Sequence, residues 1–190
     1  MFKGTSASAG IGIGKAVIVE EAELVITRNE VADAEAEIQR FKGALEKTIA
    51  ATQKMADDLA SRVGEKEAEI MQGHMMLLSD PMLTGEIENS VKNDKVNCEF
   101  AIENVCNMYA DMFASMGDEL MQQRATDMRD IKVRMQRTLM GLESVDVSLL
   151  PKGSILVAKD LTPSMTAGIN PENVSGIVTE LGGKTSHSAI

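Results

Sequence analysis

The chain has 190 residues, of which 44% are hydrophobic and 25% are charged, so it is long enough to bury a core and to form one or two domains. Its formal net charge of -10 argues against nucleic-acid binding, because no basic face is available to displace counterions from phosphates; it fits a basic partner, or solubility alone. No apolar run reaches the roughly 18 residues of a membrane span, and the N-terminus lacks the apolar segment of a secretory signal, so we expect a cytoplasmic protein without membrane insertion.

The first 27 residues are short, glycine-punctuated and β-prone, with strand candidates at 16–20 and 24–27. The glycine-rich run 10–15 does not fit a phosphate-binding loop. A Walker register would place Ala9 at the first glycine, and a dinucleotide register would place Lys15 at the third. We interpret the run as a glycine-rich strand edge.

From about residue 30 the apolar positions recur three, four or seven residues apart until Gly64, which predicts one long helix. A second helix is predicted over 65–78, with apolar residues on overlapping faces at Ile70, Met71, Met75 and Leu78. Three more helices are predicted: one opened by Asp80 and Pro81 and closed at 93–94, one from Asn97 to Gly117, and one over about 118–141 with an irregularity near 126–127. Residues 30–143 are therefore expected to form a helical hairpin bundle.

Sulfur-containing residues are prominent within this helical block. Cys98 and Cys106 lie in one predicted helix without a second ligand cluster, so we expect buried thiols. The chain has 14 methionines, whose flexible thioethers suit either the filling of a core or an adaptable binding surface.

After Ser144 short β-type runs return at 154–158 and 174–179. Strand-like segments thus flank an all-helical block. We predict an α+β or α/β fold in which the two ends of the chain, 1–29 and 144–190, form a discontinuous α/β domain around the inserted helical hairpin bundle.

The last stretch, 179–190, has the pattern of a strand end, a turn at Gly182 and Gly183, and a helix N-terminus whose first turn carries His187. Free backbone amides and the helix dipole at such a turn favour an anion. A histidine there has an unprotonated ring nitrogen at neutral pH and could attack phosphorus, although a capping turn with an incidental histidine fits equally well. A Walker loop ending at Thr185 is excluded, because its first glycine would be Val178.

Four segments, in order along the whole chain, resemble landmarks of one enzyme family. The run 182–190 (GGKTSHSAI) resembles the phosphohistidine motif of enzyme I, the phosphoenolpyruvate-protein phosphotransferases of the bacterial sugar phosphotransferase system. The segments 73–78 (GHMMLL), 124–131 (RATDMRDI) and 160–164 (DLTPS) resemble further landmarks of that family. Pyruvate phosphate dikinase and phosphoenolpyruvate synthase carry a related motif.

The resemblance implies an enzyme that transfers phosphoryl groups through His187. The histidine would be phosphorylated on Nε2 from phosphoenolpyruvate and would pass the group to a histidine of the phosphocarrier HPr during sugar uptake. The residues that would position the phosphate are Gly182, Gly183, Lys184, Thr185, Ser186 and Thr166. Lys184 stands where the family commonly has arginine, which keeps the charge but loses a bidentate donor.

The resemblance also implies that the helical bundle docks HPr, a small protein with a basic active face. The matching positions are Glu65, His74, Met76, Leu77, Asp80, Leu83, Met108, Phe113, Met121 and Arg124. Three of them have simpler interpretations: His74 as a packed or surface histidine, Asp80 as a helix cap, and Arg124 as an ion-pair partner within the bundle.

In the family, the sites for phosphoenolpyruvate and Mg²⁺ and the dimer contacts lie in a C-terminal barrel that 190 residues cannot contain. We therefore expect no cofactor or metal in this chain, Mg²⁺ only in the missing C-terminal domain of the full-length enzyme, a monomeric fragment and a homodimeric full-length enzyme. One alternative is an inactive HPr-docking module, with the α/β domain truncated. Another is the swivelling phosphohistidine domain of a dikinase or synthase relative, against which the helical insertion argues.

Overall fold

The computed structural model describes residues 4–181, apart from the side chain of residue 67. The chain forms two compact units: one combines Met1–Ala22 with Val145–Ile190, and the other is Glu23–Ser144. The first boundary between the units lies after residue 22, whereas the sequence suggested a boundary after residue 29. The second boundary lies after residue 144, one residue beyond the suggested position.

The middle unit consists of five helices. These are α1 (Ala34–Arg62), α2 (Glu65–Leu78), α3 (Pro81–Asp94), α4 (Cys98–Ser115) and α5 (Glu119–Met140). Capping residues set the starts of three helices; α3 and α5 begin where the sequence pattern predicts, whereas α1 begins at Ala34 and not at about residue 30. Asp33, Asp80 and Asp118 accept hydrogen bonds from backbone amides at the starts of α1, α3 and α5, and Gly141 ends α5 in the left-handed conformation with φ 66°.

The core of the bundle contains one stripe of apolar side chains from each of α1, α3, α4 and α5, together with Leu78 of α2. Cys98 and Cys106 belong to it, which confirms the prediction of buried thiols. Burial raises the pKa of the Cys106 thiol to about 12 and that of Cys98 still higher, so neither thiol is reactive in the folded state.

Two local predictions are wrong. The helix α5 runs without interruption through 126–127, because the Thr126 hydroxyl donates to the Gln122 carbonyl of its own helix and the Asp127 carboxylate faces α2. Residues 24–27 form no strand. A strand needs a neighbour, and the extended backbone pairing nearby joins Glu30 instead to Val96 in the α3–α4 connection.

The other unit contains a parallel sheet of β1 (Lys15–Val19), β2 (Ser154–Ala158) and β3 (Val174–Thr179), in the order β1-β2-β3. A short helix, α6 (Pro163–Gly168), which the sequence pattern did not predict, connects β2 to β3. Buried side chains on the sheet and its connections form a small separate core that includes Val19, Leu156 and Leu161.

Glycines before β1 serve close backbone packing. A Cβ at Gly12 would collide with the carbonyl of Ser175, and a Cβ at Gly14 with the carbonyl of Gly153. This explains the glycine-rich run without a phosphate site. No helix within residues 4–181 combines the length and the apolar character that crossing a membrane requires.

Candidate functional site

The carboxyl edge of the sheet is the first part of the candidate site. Backbone pairing continues beyond β3, since the Glu180 amide donates to the Ala158 carbonyl at 3.1 Å and the Leu181 amide donates to the Lys159 carbonyl at 2.8 Å. Residue 181 therefore lies at the carboxyl ends of the parallel strands, where α/β proteins commonly bind ligands. The glycine turn and the nucleophile candidate follow directly in sequence. These six predicted site residues lie outside the described part of the chain: Gly182, Gly183, Lys184, Thr185, Ser186 and His187.

Thr166 lies on α6, which follows the same edge of the sheet. The Thr162 side chain caps this helix by accepting from the Met165 amide at 3.3 Å. The Thr166 hydroxyl donates to the Thr162 carbonyl at 3.0 Å, so its proton is engaged while its oxygen keeps lone pairs that can accept another hydrogen bond. The side chain is half-buried, and its role as a hydrogen-bond partner of the histidine stays a prediction.

The ten predicted docking residues differ in exposure. Met76 and Met108 are 72% and 53% exposed, and Glu65 is also exposed. Five others are half-buried: Leu77, Asp80, Phe113, Met121 and Arg124. Leu83 and His74 lie in the interior, at 2% and 0% exposure. Those two side chains cannot touch a partner on this surface, and any role in docking must act through their neighbours.

Most of these residues share one end of the bundle, formed by the end of α2, the start of α3, the end of α4 and the start of α5. We call it the α2–α3 end. The Arg124 guanidinium of α5 lies beside Gly73 of α2, 2.5 Å from the place that a Cβ on this glycine would take. The ring of Tyr109 on α4 tilts against Phe113, with 6.4 Å between centroids, and both pack on the core. Glu65 lies apart, because about 16 Å of helix separates it from Met76.

Tyr109 is a residue of this end that the motif comparison missed. Its pKa is raised by partial burial and by the charge of Glu86 on α3. Its polar tip and apolar ring are typical of interface residues. An aromatic residue four positions before Phe113 on one helix face was the available sequence signal.

His74 is a packed histidine and not a surface histidine. Its Nε2 lies 3.2 Å from Oδ1 of Asp127, and its Nδ1 lies 4.0 Å from Oδ2 of Asp130. Oδ2 of Asp127 lies 3.6 Å from the Arg124 guanidinium. The spacing of 124, 127 and 130 places these charges on one face of α5, and this spacing is a sequence signal for a polar stripe. Within residues 4–181, no group of three or more histidine, cysteine, aspartate or glutamate side chains is arranged to hold a metal.

Comparison with known proteins gives the chain its family. Residues 3–124 match the family described as "PEP-utilising enzyme, N-terminal", and residues 150–190 match "PEP-utilising enzyme, mobile domain". The chain belongs to the family of PEP-utilising enzymes. The second match includes the whole of the predicted phosphohistidine motif.

Curated relatives specify the branch of this family. The phosphoenolpyruvate-protein phosphotransferases of Bacillus subtilis (strain 168) and Listeria monocytogenes are 40% and 42% identical to the chain over 189 residues. Each alignment covers 100% of this chain and 33% of the relative, so the chain spans about one third of their length. The resemblance to enzyme I inferred from the motifs is confirmed.

Solved structures agree with this assignment. An Enzyme I protein determined in solution by NMR has a TM-score of 0.87 and 38% identity, covering 100% of this chain and 77% of that chain. A structure titled "N-terminal domain of Enzyme 1 - Nitrogen" has a TM-score of 0.68 and 25% identity, covering 96% of this chain and 75% of that chain. The predicted mixed fold, with helices and a small sheet, is confirmed.

Proposed function

We propose that this chain is the phosphoryl-carrying N-terminal part of a phosphoenolpyruvate-protein phosphotransferase, and that His187 is its nucleophile. The main observation behind this proposal is that the backbone pairing of β3 reaches residue 181 on the carboxyl edge of the sheet, and that the first glycine of the motif follows directly in sequence. The match of 150–190 to the mobile domain supports the same assignment.

The proposed chemistry is two successive transfers. A ring nitrogen of His187 attacks phosphorus, an N–P bond forms, and the donor's P–O bond breaks with the electron pair leaving on oxygen. In the second step the N–P bond to His187 breaks as a histidine of HPr forms its own bond to phosphorus. Little covalent chemistry is required of the protein, so placement and charge stabilisation of the phosphoryl oxygens supply most of the catalysis.

Neighbouring groups of the motif are proposed to hold those oxygens. The backbone amides of the glycine turn, the hydroxyls of Thr185 and Ser186 and the charge of Lys184 are donors of the required kind. Thr166 can accept a hydrogen bond from the second ring nitrogen of the histidine, because its own proton is engaged by the Thr162 carbonyl. Such a partner would fix the ring orientation.

The α2–α3 end of the bundle is the proposed docking surface for HPr. Exposed Met76 and Met108 supply soft apolar area, and Asp80 and Glu86 supply negative charge beside it. A small basic protein complements that combination and the net charge of -10. By the same proposal, phosphoenolpyruvate and Mg²⁺ bind outside the region that this chain spans, and the chain is monomeric.

Intact-mass spectrometry of the chain mixed with phospho-HPr tests the function. The chain has two histidines, His74 and His187, which provide a matched pair of variants. We expect the mass of one phosphoryl group to be gained by the unmodified chain and by His74→Gln, and not by His187→Ala. Phosphorylation of His187→Ala would refute the assignment of the nucleophile. Failure of all three chains to gain phosphate, with HPr binding retained, would leave a docking module instead.

A further inference from the structure

A buried polar cluster lies between α2 and α5, at the α2–α3 end. His74 is 0% exposed, and Asp127 and Asp130 are 6% and 4% exposed. Burying ionisable groups costs free energy unless they are paired. Replacing a buried ion pair by apolar side chains of similar volume commonly leaves a protein as stable as before, or more stable. The cluster is therefore a candidate for a functional role.

Asp127 is the centre of this cluster. Its Oδ1 lies 3.2 Å from Nε2 of His74, and since a carboxylate only accepts, the ring nitrogen donates. Its Oδ2 lies 3.6 Å from Nη1 of Arg124. One carboxylate thus joins a buried histidine on α2 to an arginine whose side chain is 32% exposed.

The guanidinium of Arg124 is also constrained from the side of α2. A Cβ added at Gly73 would lie 2.5 Å from Nη1, so the guanidinium occupies the space that a side chain at position 73 would fill. Its place is set by two features: the carboxylate of Asp127 and the bare backbone of Gly73.

We propose that His74 is a positioning residue, which acts through Asp127 to hold the Arg124 guanidinium against α2 at the docking surface. This inference rests on the proposed docking of HPr at that end. A histidine donor fixes Oδ1 of Asp127, so Oδ2 faces the guanidinium. Without it the carboxylate can rotate, and the long side chain of Arg124 samples more conformers before the partner binds. Direct contact of His74 with the partner is unnecessary.

Two substitutions of His74 distinguish the effect of its hydrogen-bond donor from the effect of its volume. His74→Leu fills a similar space without a donor, whereas His74→Gln carries an amide N–H at nearly the reach of Nε2. We expect His74→Leu to weaken HPr binding about tenfold and His74→Gln to restore it to within about threefold of the original chain. Asp127→Asn keeps an acceptor for His74 but loses the charge facing Arg124, so it should weaken binding as His74→Leu does. Ile38→Val changes a buried α1 side chain in the core of the bundle, so it is the control for a loss of stability without a change in the polar cluster.

A double-mutant cycle tests the route through Arg124. In an Arg124→Met background, His74→Leu should reduce affinity by less than about twofold further, because its effect is already lost. A full tenfold loss in that background would show a general structural role and overturn the inference. Should His74→Leu not fold, Asp127→Asn takes its place in the same cycle.

The NMR signal of the Arg124 side-chain Nε–H in the free chain gives a readout without the partner. It should move in His74→Leu and Asp127→Asn and stay in place in His74→Gln. An unmoved signal in all three variants would refute the positioning role even if HPr binds. If HPr does not bind the original chain, docking fails as a function, while the Arg124 signal still decides whether His74 positions that residue.

Discussion

Replacement of Gly73 by alanine is expected to separate the stability of α2 from the position of Arg124. Glycine within a helix is less favourable than alanine by about 0.8 to 1 kcal/mol. The new Cβ would lie 2.5 Å from Nη1 of Arg124, against a normal separation of roughly 3.5 Å, so the guanidinium must retreat by about 1 Å. That atom is the far end of a flexible side chain, so its movement costs little.

The ion pair between Arg124 and Asp127 is the interaction at risk from this retreat. With the arginine one-third exposed, such a pair contributes about 0 to 1 kcal/mol. The net change in the free energy of unfolding for Gly73→Ala should therefore be between about zero and a gain of 1 kcal/mol. Affinity for HPr should fall several-fold at the same time, because the guanidinium no longer occupies its place against α2.

Two other helical glycines provide matched controls for this experiment. A Cβ at Gly43 in α1 or at Gly85 in α3 meets no heavy atom within 4 Å. Each alanine variant should gain about 0.5 to 1 kcal/mol, and Gly43→Ala should leave HPr affinity unchanged. Urea unfolding gives the stabilities and calorimetric titration with HPr gives the affinities. Unchanged affinity in Gly73→Ala, or a loss of more than about 1 kcal/mol in its stability, would refute the reasoning.

Three further predictions concern caps, ion pairs and thiols. The Glu37 carboxylate accepts hydrogen bonds from Arg40 at 2.7 Å and from the Cys98 amide at 2.8 Å, and the Arg40 contact is the main reason that its pKa is lowered. A lowered folded-state pKa gives stability that is present above the unfolded value of 4.5 and is lost as the pH falls through the folded value. Glu37→Gln should therefore cost about 1 kcal/mol in urea unfolding at pH 7 and progressively less as the pH falls through the folded-state pKa, and a cost that does not change with pH would contradict this origin. Asp80→Ala should cost about 1 kcal/mol through loss of the α3 cap while Asp80→Asn costs a few tenths, with thermal unfolding as the measurement and equal losses as the contrary result. Cys98 and Cys106 should react with a thiol reagent only at the rate of unfolding, and a fast phase in native conditions would show that the burial of one of them is wrong.

Helix bounds in the bundle were predictable because local residues determine them. Asp80 with Pro81 opens α3, and Gly141 in a left-handed conformation closes α5, so the ends can be placed without knowledge of tertiary contacts. The same local logic failed for residues 24–27, where β-propensity was present but no neighbouring strand was available.

The buried face of α2 could not be deduced from apolar periodicity. Ile70 is 41% exposed, whereas Met71, His74 and Leu78 are fully buried. Two overlapping faces were possible from the pattern, and on the buried one His74 faces the Asp127 carboxylate of α5. A histidine on the buried face becomes explicable only when its acidic partners on another helix are known.

The proposed site at the carboxyl edge of the sheet rests on sequence for a different reason. The motif that predicts this site is local: paired glycines, hydroxyl side chains and a histidine follow one another within a few residues of sequence. The sequence also placed the preceding strand at 174–179, and the structure has β3 at Val174–Thr179. Exposure at the α2–α3 end, by contrast, depends on the packing of four helices and could be assigned only from the fold.

Transfer of a phosphoryl group to His187 can be tested by ³¹P NMR of the chain after incubation with phospho-HPr. We expect a phosphohistidine signal at the shift of an Nε2-linked phosphate, present in His74→Gln and absent in His187→Ala. A phosphohistidine signal that persists in His187→Ala, or a phosphate signal from a hydroxyl ester instead of a histidine, would contradict it.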